Sequence, residues 1–229
     1  MILVTGASGY LGRHVADRLL AHEQTFMLTS RNDAGGMPCD LTNAQDVERM
    51  LARVQPTVII HCAAKVPKRL ADYGNPLAAS ASVAMMKHLS ALADCPIVFA
   101  SSSVASNTIE SEYALGKWRA EHYLSTGSVA MRLPGLFGLP RRSGVIYTAA
   151  KMGMIPESFG PYPAMQVQDA AEYLVRAATM PSDGNREPVS VTYGNTRLEA
   201  CYGSVGTTFQ QRVQEFADTL RMEQACAHS

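Results

Sequence analysis

The sequence predicts an α/β fold: a doubly wound parallel sheet with helices on both faces and a small C-terminal lobe. Three observations carry this. The chain opens on an apolar run, Ile2-Leu3-Val4, that passes through Thr5-Gly6-Ala7-Ser8-Gly9-Tyr10-Leu11-Gly12 into a helical pattern with Leu11, Val15, Leu19 and Leu20 on one face. Short apolar segments then alternate with helical ones as far as Leu133, and that alternation makes βαβ units and a parallel sheet. Beyond Arg132, glycine and proline thicken at Pro134, Gly135, Gly138, Pro140, Gly144, Gly153, Pro156, Gly160, Pro161 and Pro163, which marks the loops of a smaller lobe.

The elements follow in order. Residues 2–4 form the first strand and residues 25–30 the second. Residues 43–54 form a helix capped by Asn43, with Asp46 in its first turn. Residues 57–60 are a short, wholly apolar strand. Residues 76–93 are helical, with Val83, Met86, Leu89 and Ala93 along one face. Residues 96–100 read as a buried strand, residues 112–125 as a helix, and residues 128–133 as a further strand. A last helix over residues 207–222 places Phe209, Val213, Phe216 and Leu220 on one stripe, which reads as core packing of the lobe. The expected division is a main domain over residues 1–135 and a small lobe over 136–229, partly interleaved with it.

Composition excludes several classes. The 229 residues suffice for one good core, and 47% are apolar. Twenty basic and twenty acidic side chains cancel, so charge favours neither nucleic acid nor an anionic membrane. The five cysteines, Cys39, Cys62, Cys95, Cys201 and Cys226, are scattered without metal-ligand spacing. A reduced, cytoplasmic setting and no metal are expected. No apolar run is long enough to span a membrane. No basic region precedes a leader, because Ile2–Val4 is already core strand.

Two motifs carry chemistry. A strand, a glycine turn and a helix start, in that order, suit a dinucleotide pyrophosphate: the glycines allow a tight turn and close backbone approach, and the helix N-terminus offers free N–H groups. An ordinary βα turn uses glycines too. The second motif is Tyr113-Ala114-Leu115-Gly116-Lys117, with Tyr113 and Lys117 on one helical face. An ammonium beside a phenol lowers the phenol's pKa toward working pH. The preceding strand ends in Ser101-Ser102-Ser103, where parallel sheets bind ligands.

Taken together, these segments resemble the short-chain dehydrogenase/reductase superfamily, and within it the extended NAD(P)-dependent epimerase/dehydratase branch acting on nucleotide-sugars. The resemblance covers residues 1–180. It rests on Thr5 to Gly12, Cys39-Asp40-Leu41, His61-Cys62-Ala63-Ala64, Ser101-Ser102-Ser103, Tyr113 to Lys117, and Arg132-Leu133-Pro134-Gly135-Leu136-Phe137-Gly138. It implies a Rossmann-like fold with a substrate-binding lobe and a catalytic Ser102, Tyr113 and Lys117, with Ser103 and Ser101 behind Ser102. Tyr113 is then the acid/base, Lys117 its partner and a ribose ligand, and Ser102 the group that orients the substrate oxygen.

The expected cofactor contacts are Gly6, Ser8, Gly9, Tyr10, Leu11, Gly12, Arg31, Asp40, Leu41, Cys62, Ala63, Ala64, Tyr113, Lys117 and Pro134. The resemblance sets Asp40 beside the adenine amino group; otherwise it starts a turn before the next helix. Small residues at Cys62-Ala63-Ala64 let a cofactor lie against the backbone, while His61 reads as structural and Cys62 as a small buried side chain. At the end of the second strand stands Arg31, with Ser30 as a further donor and Asp33 two residues too late for the usual ribose-binding carboxylate. An arginine fork suits a 2′-phosphate, so NADP is expected over NAD. Lys65, Ser103 and Arg141 are candidate substrate contacts, with Lys68, Arg69 and Arg142 nearby; each basic residue is equally consistent with a solvated loop.

Three features depart from the family pattern. Ser106-Asn107 stands where sugar epimerases carry an aromatic-glycine turn, Ser82 replaces an asparagine, and the C-terminal lobe is short. The expected function is an NADP-dependent oxidoreductase or epimerase acting on a carbonyl or secondary alcohol, in its leading form a keto-sugar nucleotide reductase. The alternatives are an NAD-dependent sugar epimerase and a non-catalytic dinucleotide sensor. Extra apolar surface on the helices at 76–93 and 112–125, from Leu77, Ala81, Met85, Met86, Leu92, Ala114, Trp118 and Tyr123, predicts an isologous homodimer.

Overall fold

The computed structural model describes residues 1–32, 36–66, 70–108, 111–152, 164–180 and 187–226. Asp33, Lys68, Arg69 and the glycines and prolines from 153 to 163 lie outside them.

Seven parallel strands form the sheet, in the order β3-β2-β1-β4-β5-β6-β9. They are β1 (Ile2–Thr5), β2 (Phe26–Ser30), β3 (Met37–Pro38), β4 (Val58–His61), β5 (Ile97–Ser102), β6 (Val129–Leu133) and β9 (Val189–Ser190). The central strands β1 and β4 are buried along their whole length, as a parallel sheet covered on both faces requires. Register pairs Thr5 with His61 and His61 with Phe99. The C-terminal ends of β1, β4 and β5 therefore lie side by side.

Helices cover both faces. One face holds α1 (Tyr10–Ala21) and α6 (Val167–Thr179), where Val15, Leu19, Tyr173 and Leu174 pack on Val4, Ile60 and Val98. The other holds α2 (Ala44–Val54), α3 (Pro76–Leu92) and α4 (Glu112–Glu121), whose Met50, Met86 and Ala120 meet Leu3, Ile59 and Phe99. Asn43 caps α2 through the N–H groups of Gln45 and Asp46, and Asn75 caps α3 through that of Leu77. Beyond residue 135, β9 pairs with β6 and α6 packs on α1. β7 (Gly135–Phe137) and β8 (Ala164–Gln166) pair in parallel. A third cluster joins them to α5 (Val145–Lys151) and α8 (Phe209–Cys226) through Phe137, Ile146 and Phe216. Between α6 and α8 lies the short α7 (Thr196–Tyr202).

Helices α3 and α4 offer less free apolar surface than the sequence suggests. Met85, Met86 and Ala114 are buried within the chain's own core, and Trp118 is half-buried, 4.2 Å from the His122 ring. Leu77, Leu92 and Tyr123 remain exposed.

Candidate active site

The glycine turn between β1 and α1 is shaped first by the chain's own packing. Gly6 has φ of 70°, and a Cβ there would stand 2.6 Å from the backbone of Ala63. A Cβ at Gly12 would stand 2.3 Å from the Gly6 carbonyl oxygen. Both glycines let β1, the end of β4 and α1 approach closely. The ligand signal lies elsewhere, at the helix start. Gly9 caps α1 with no side-chain hydrogen bond and no acidic residue in the first turn, whereas α2, α3 and α4 are all capped by side chains. The first N–H groups of α1, like those of α5 and α6, thus have no side-chain partner, and those of α1 stand at the glycine turn, where a pyrophosphate fits. Ser8, Tyr10 and Leu11 flank it, each partly exposed.

Across the same edge of the sheet, β5 ends in three serines with different fates. The Ser101 hydroxyl donates to Glu121 and is buried. Ser103 is exposed, its N–H held by the Leu133 carbonyl at 2.8 Å. Of the three, only Ser102 bears on Tyr113, its hydroxyl acting to lower the phenol's pKa. The α4 helix that presents Tyr113 is capped by Ser111, which accepts from the Ala114 N–H. It is set close against α3 by Gly116, whose Cβ would stand 2.4 Å from the Ala79 Cα.

Lys117 lies one turn beyond Tyr113 and is buried. Its Nζ donates to the Ala100 carbonyl at 2.7 Å and sits 4.5 Å from the centroid of the Phe99 ring. Burial lowers its pKa to about 8, with Cys62 and Glu121 pulling the other way. Tyr113 differs from the sequence expectation. Burial pushes its phenol up to about 12, with Ser102 acting the other way. The ammonium is turned to the Ala100 carbonyl, so desolvation decides the phenol's pKa in place of the lysine's charge.

Beneath this pair, the Thr5 hydroxyl and His61 Nδ1 are 2.6 Å apart, and the His61 ring stacks on Phe99 with centroids 5.4 Å apart. Burial and the Lys117 charge hold His61 down to about 3, so the imidazole is neutral. Burial drives the Cys62 thiol up to about 12, which makes it a poor nucleophile. Ala63 and Ala64 continue the strand end, and Pro134, buried, follows β6.

At the ends of β2 and β3, Arg31 is exposed and close enough to Asp40 to help depress its carboxyl. The larger cause is Thr42, whose hydroxyl and N–H bond Asp40 Oδ1 at 2.7 and 3.0 Å. Asp40 thus builds the turn into α2. Leu41 is buried against α2 and α3 and offers its carbonyl to His88 Nδ1 at 3.1 Å. Ser30 is buried and spends its hydroxyl on the Asn32 carbonyl, so it does not serve as the extra donor expected beside Arg31.

Tyr10 links the glycine turn to the lobe. Its hydroxyl donates to the Gly138 carbonyl at 2.8 Å, and the Arg141 guanidinium lies 5.8 Å from its ring centroid. Arg142 instead pairs with Glu223 of α8 at 2.9 Å. Lys65 is exposed in the loop after β4. Two residues at the site escaped the sequence reading. Tyr73, in the short turn Leu70–Gly74, sets its ring edge-on to Tyr113 at 5.7 Å; no motif marks it. Glu121, buried four residues after Lys117, receives Arg132 through two bonds of 3.0 and 2.7 Å; its spacing from Lys117 was the available signal. Among the described residues, no three His, Cys, Asp or Glu side chains cluster as metal ligands, and no helix is long and apolar enough to cross a membrane.

The chain matches the family described as the NAD dependent epimerase/dehydratase family over residues 2–124, from β1 through the helix bearing Tyr113 and Lys117. Solved structures resemble it over nearly their full length. MoeE5 in complex with UDP-glucose and NAD shares 16% identity at a TM-score of 0.74, covering 97% of this chain and 99% of that one. The UDP-N-acetylglucosamine 4-epimerase of Bacillus cereus shares 16% at 0.74, over 96% and 98%. The dTDP-glucose 4,6-dehydratase of Bacillus anthracis, in complex with NAD, shares 14% at 0.72, over 96% of each chain. At these identities the likeness is one of fold.

Proposed function

This chain belongs to the NAD-dependent epimerase/dehydratase family of short-chain dehydrogenase/reductase enzymes, and from that premise we propose that it is an NADP-dependent oxidoreductase or epimerase acting on a carbonyl or secondary alcohol. Its leading form is the reduction of a keto-sugar nucleotide. The observation that carries the reading is the grouping of Ser102, at the end of β5, with Tyr113, whose pKa it acts to lower, with Lys117 one helical turn behind and the uncapped start of α1 on the same edge of the sheet.

The residues divide the work as follows. The α1 N–H groups and the backbone from Gly6 to Gly12 hold the cofactor pyrophosphate, while Cys62, Ala63, Ala64 and Pro134 flank the dinucleotide. Asp40 and Leu41 stand at the adenine end, and Lys117 is the ribose ligand. The nicotinamide, when bound, supplies hydride exchange at its C4. Ser102 donates to the substrate oxygen and fixes it against Tyr113. A phenol pushed to about 12 is protonated at neutral pH, so Tyr113 begins as an acid and gives its proton to the oxygen of a carbonyl being reduced. Lys65, Ser103 and Arg141 line the substrate side. A non-catalytic sensor would have no use for Ser102, Tyr113 and Lys117 set together.

Arg31 supports NADP, as an exposed fork at the end of β2; NAD is the competing cofactor, held by four of the similar structures. Nucleotide-sugars are the substrate class, after the UDP-glucose bound by MoeE5. A homodimer would form across α3 and α4, where Leu77, Leu92 and Tyr123 stay exposed. The test is NADPH oxidation against a panel of keto-sugar nucleotides. Consumption with at least one is expected; tight cofactor binding with no turnover on any would refute the reading.

A further inference from the structure

One turn beyond Lys117, α4 carries a charged group with no part in the reaction above. Glu121 is buried, and both of its oxygens are occupied. Oε1 accepts from the Ser101 hydroxyl and from Arg132 Nε at 3.0 Å, and Oε2 accepts from Arg132 Nη2 at 2.7 Å. A bidentate arginine clamp of this kind fixes geometry as well as charge. Ser101 follows Ala100, whose carbonyl receives Lys117 Nζ at 2.7 Å. One continuous path therefore runs from Lys117 through the Ala100–Ser101 backbone to Glu121 and on to Arg132 of β6. Ser102 is the next residue along. Glu121 also lies four residues after Lys117 on α4, so the two side chains share a helical face.

We propose that Glu121 is a positioning residue for the Tyr113–Lys117 pair: clamped by Arg132 and Ser101, its carboxylate is the counter-charge that keeps the buried Lys117 ammonium protonated at neutral pH. This rests on the reading that Lys117 faces the cofactor.

The surroundings of Lys117 support the assignment. From β4, His61 is neutral and Cys62 is a protonated thiol. From β5, the Phe99 ring and the Ala100 carbonyl supply only partial charge. On α4, Tyr113 is a protonated phenol, and Tyr73 sets its ring edge-on to Tyr113 at 5.7 Å. Glu121 is the formal negative charge acting on Lys117, and it opposes the burial that lowers the lysine to about 8. Arg132 draws that negative charge partly to itself. The two partners of the clamp should therefore act on Lys117 in opposite directions.

The experiment measures NADPH affinity by fluorescence from neutral to alkaline pH. In the parent protein, affinity should fall above about pH 8 as Lys117 loses its proton. Glu121→Gln should move that fall to lower pH by about one unit or more, the scale of a nearby opposite charge. Arg132→Gln should move it to higher pH, and Glu121→Asp should hold it near the parent position. Either charge-changing variant decides the matter alone if the other fails to fold, with near-ultraviolet circular dichroism as the check on packing. A merely structural ion pair would weaken binding at every pH and leave the position of the fall unchanged, which overturns the proposal. Lys117→Met separates the two levels of inference. If the alkaline fall survives that change, the reading of Lys117 as a cofactor ligand is wrong. If it disappears there yet stays put in Glu121→Gln and Arg132→Gln, only the role of Glu121 is wrong.

Discussion

Replacing Gly116 with alanine strikes the contact that sets the α4 side chains in place. The new Cβ would lie 2.4 Å from the Ala79 Cα, 3.0 Å from its Cβ and 3.2 Å from its carbonyl carbon. The nearest of these atoms is backbone, so no rotamer relieves the overlap. Ordinary carbon–carbon contact needs about 3.5–4.0 Å, so α3 and α4 must part by about 1 Å or more. Two effects compete. Alanine gains about 1 kcal/mol over glycine in a helix interior, while overpacking a tight core costs about 1–3 kcal/mol. A backbone overlap of this depth belongs at the upper end of that range, leaving a net loss of about 2 kcal/mol. For a domain of this size each kcal/mol lowers Tm by about 2–4 °C, so a calorimetric melt should fall by about 4–8 °C. Adding Ala79→Gly removes only the 3.0 Å contact, so it should recover little. Turnover should fall with stability, because Tyr113 and Lys117 flank the displaced residue. A Tm equal to or above that of the parent would show that α3 and α4 do not cross as described.

Arg31→Asp should shift the ratio of NADPH to NADH dissociation constants toward NADH by about 1–3 kcal/mol, the scale of lost charge-assisted hydrogen bonds; equal affinity of the parent for both cofactors would end the NADP reading. His61 is held down to about 3 from an ordinary 6.5, so between those values the unfolded chain binds the extra proton and stability falls as pH falls through that window. Melts of His61→Gln should show a shallower acid dependence than the parent, and parallel curves would refute this. Lys117 is lowered from 10.5 to about 8, so its contribution to stability rises with pH across that interval while cofactor affinity falls; both trends should vanish in Lys117→Met.

Much of this molecule is legible in its sequence, and the exceptions have physical causes. β1, the glycine turn, Asn43-capped α2 and Asn75-led α3 all announce themselves through local signals: an apolar run, a cap, a proline at the helix start. Helix α6 shows helical spacing at Val167, Ala170, Ala171, Leu174 and Val175, but nothing local shows where its Asp169, Glu172 and Arg176 lie. In the fold Asp169 and Glu172 are buried, satisfied by Arg212 at 2.7 Å and by Arg176 at 2.7 Å and His22 at 3.0 Å. Glu172 and Arg176 are an i,i+4 pair, but the pairings with Arg212 and His22 are distant and leave no local pattern. The two-residue strands β3 and β9 are too short to show periodicity. At the site, sequence order brings the serine run, Tyr113 and Lys117 together, but only the family resemblance puts Ser102 ahead of Ser103 and Ser101. Their separation depends on Glu121 capturing Ser101. The direction of the Tyr113 shift was also hidden, because spacing reveals a nearby lysine and says nothing of burial.

The central claim is that Tyr113 exchanges a proton with the substrate oxygen while the cofactor site stands apart from that act. The direct measurement is turnover and NADPH affinity of Tyr113→Phe, side by side with the parent on a keto substrate that the parent reduces. The change deletes one hydroxyl, so affinity should stay within a few-fold while kcat falls by about 10²–10⁴, the usual contribution of a positioned acid/base. A variant that keeps kcat within a few-fold of the parent would contradict the assignment.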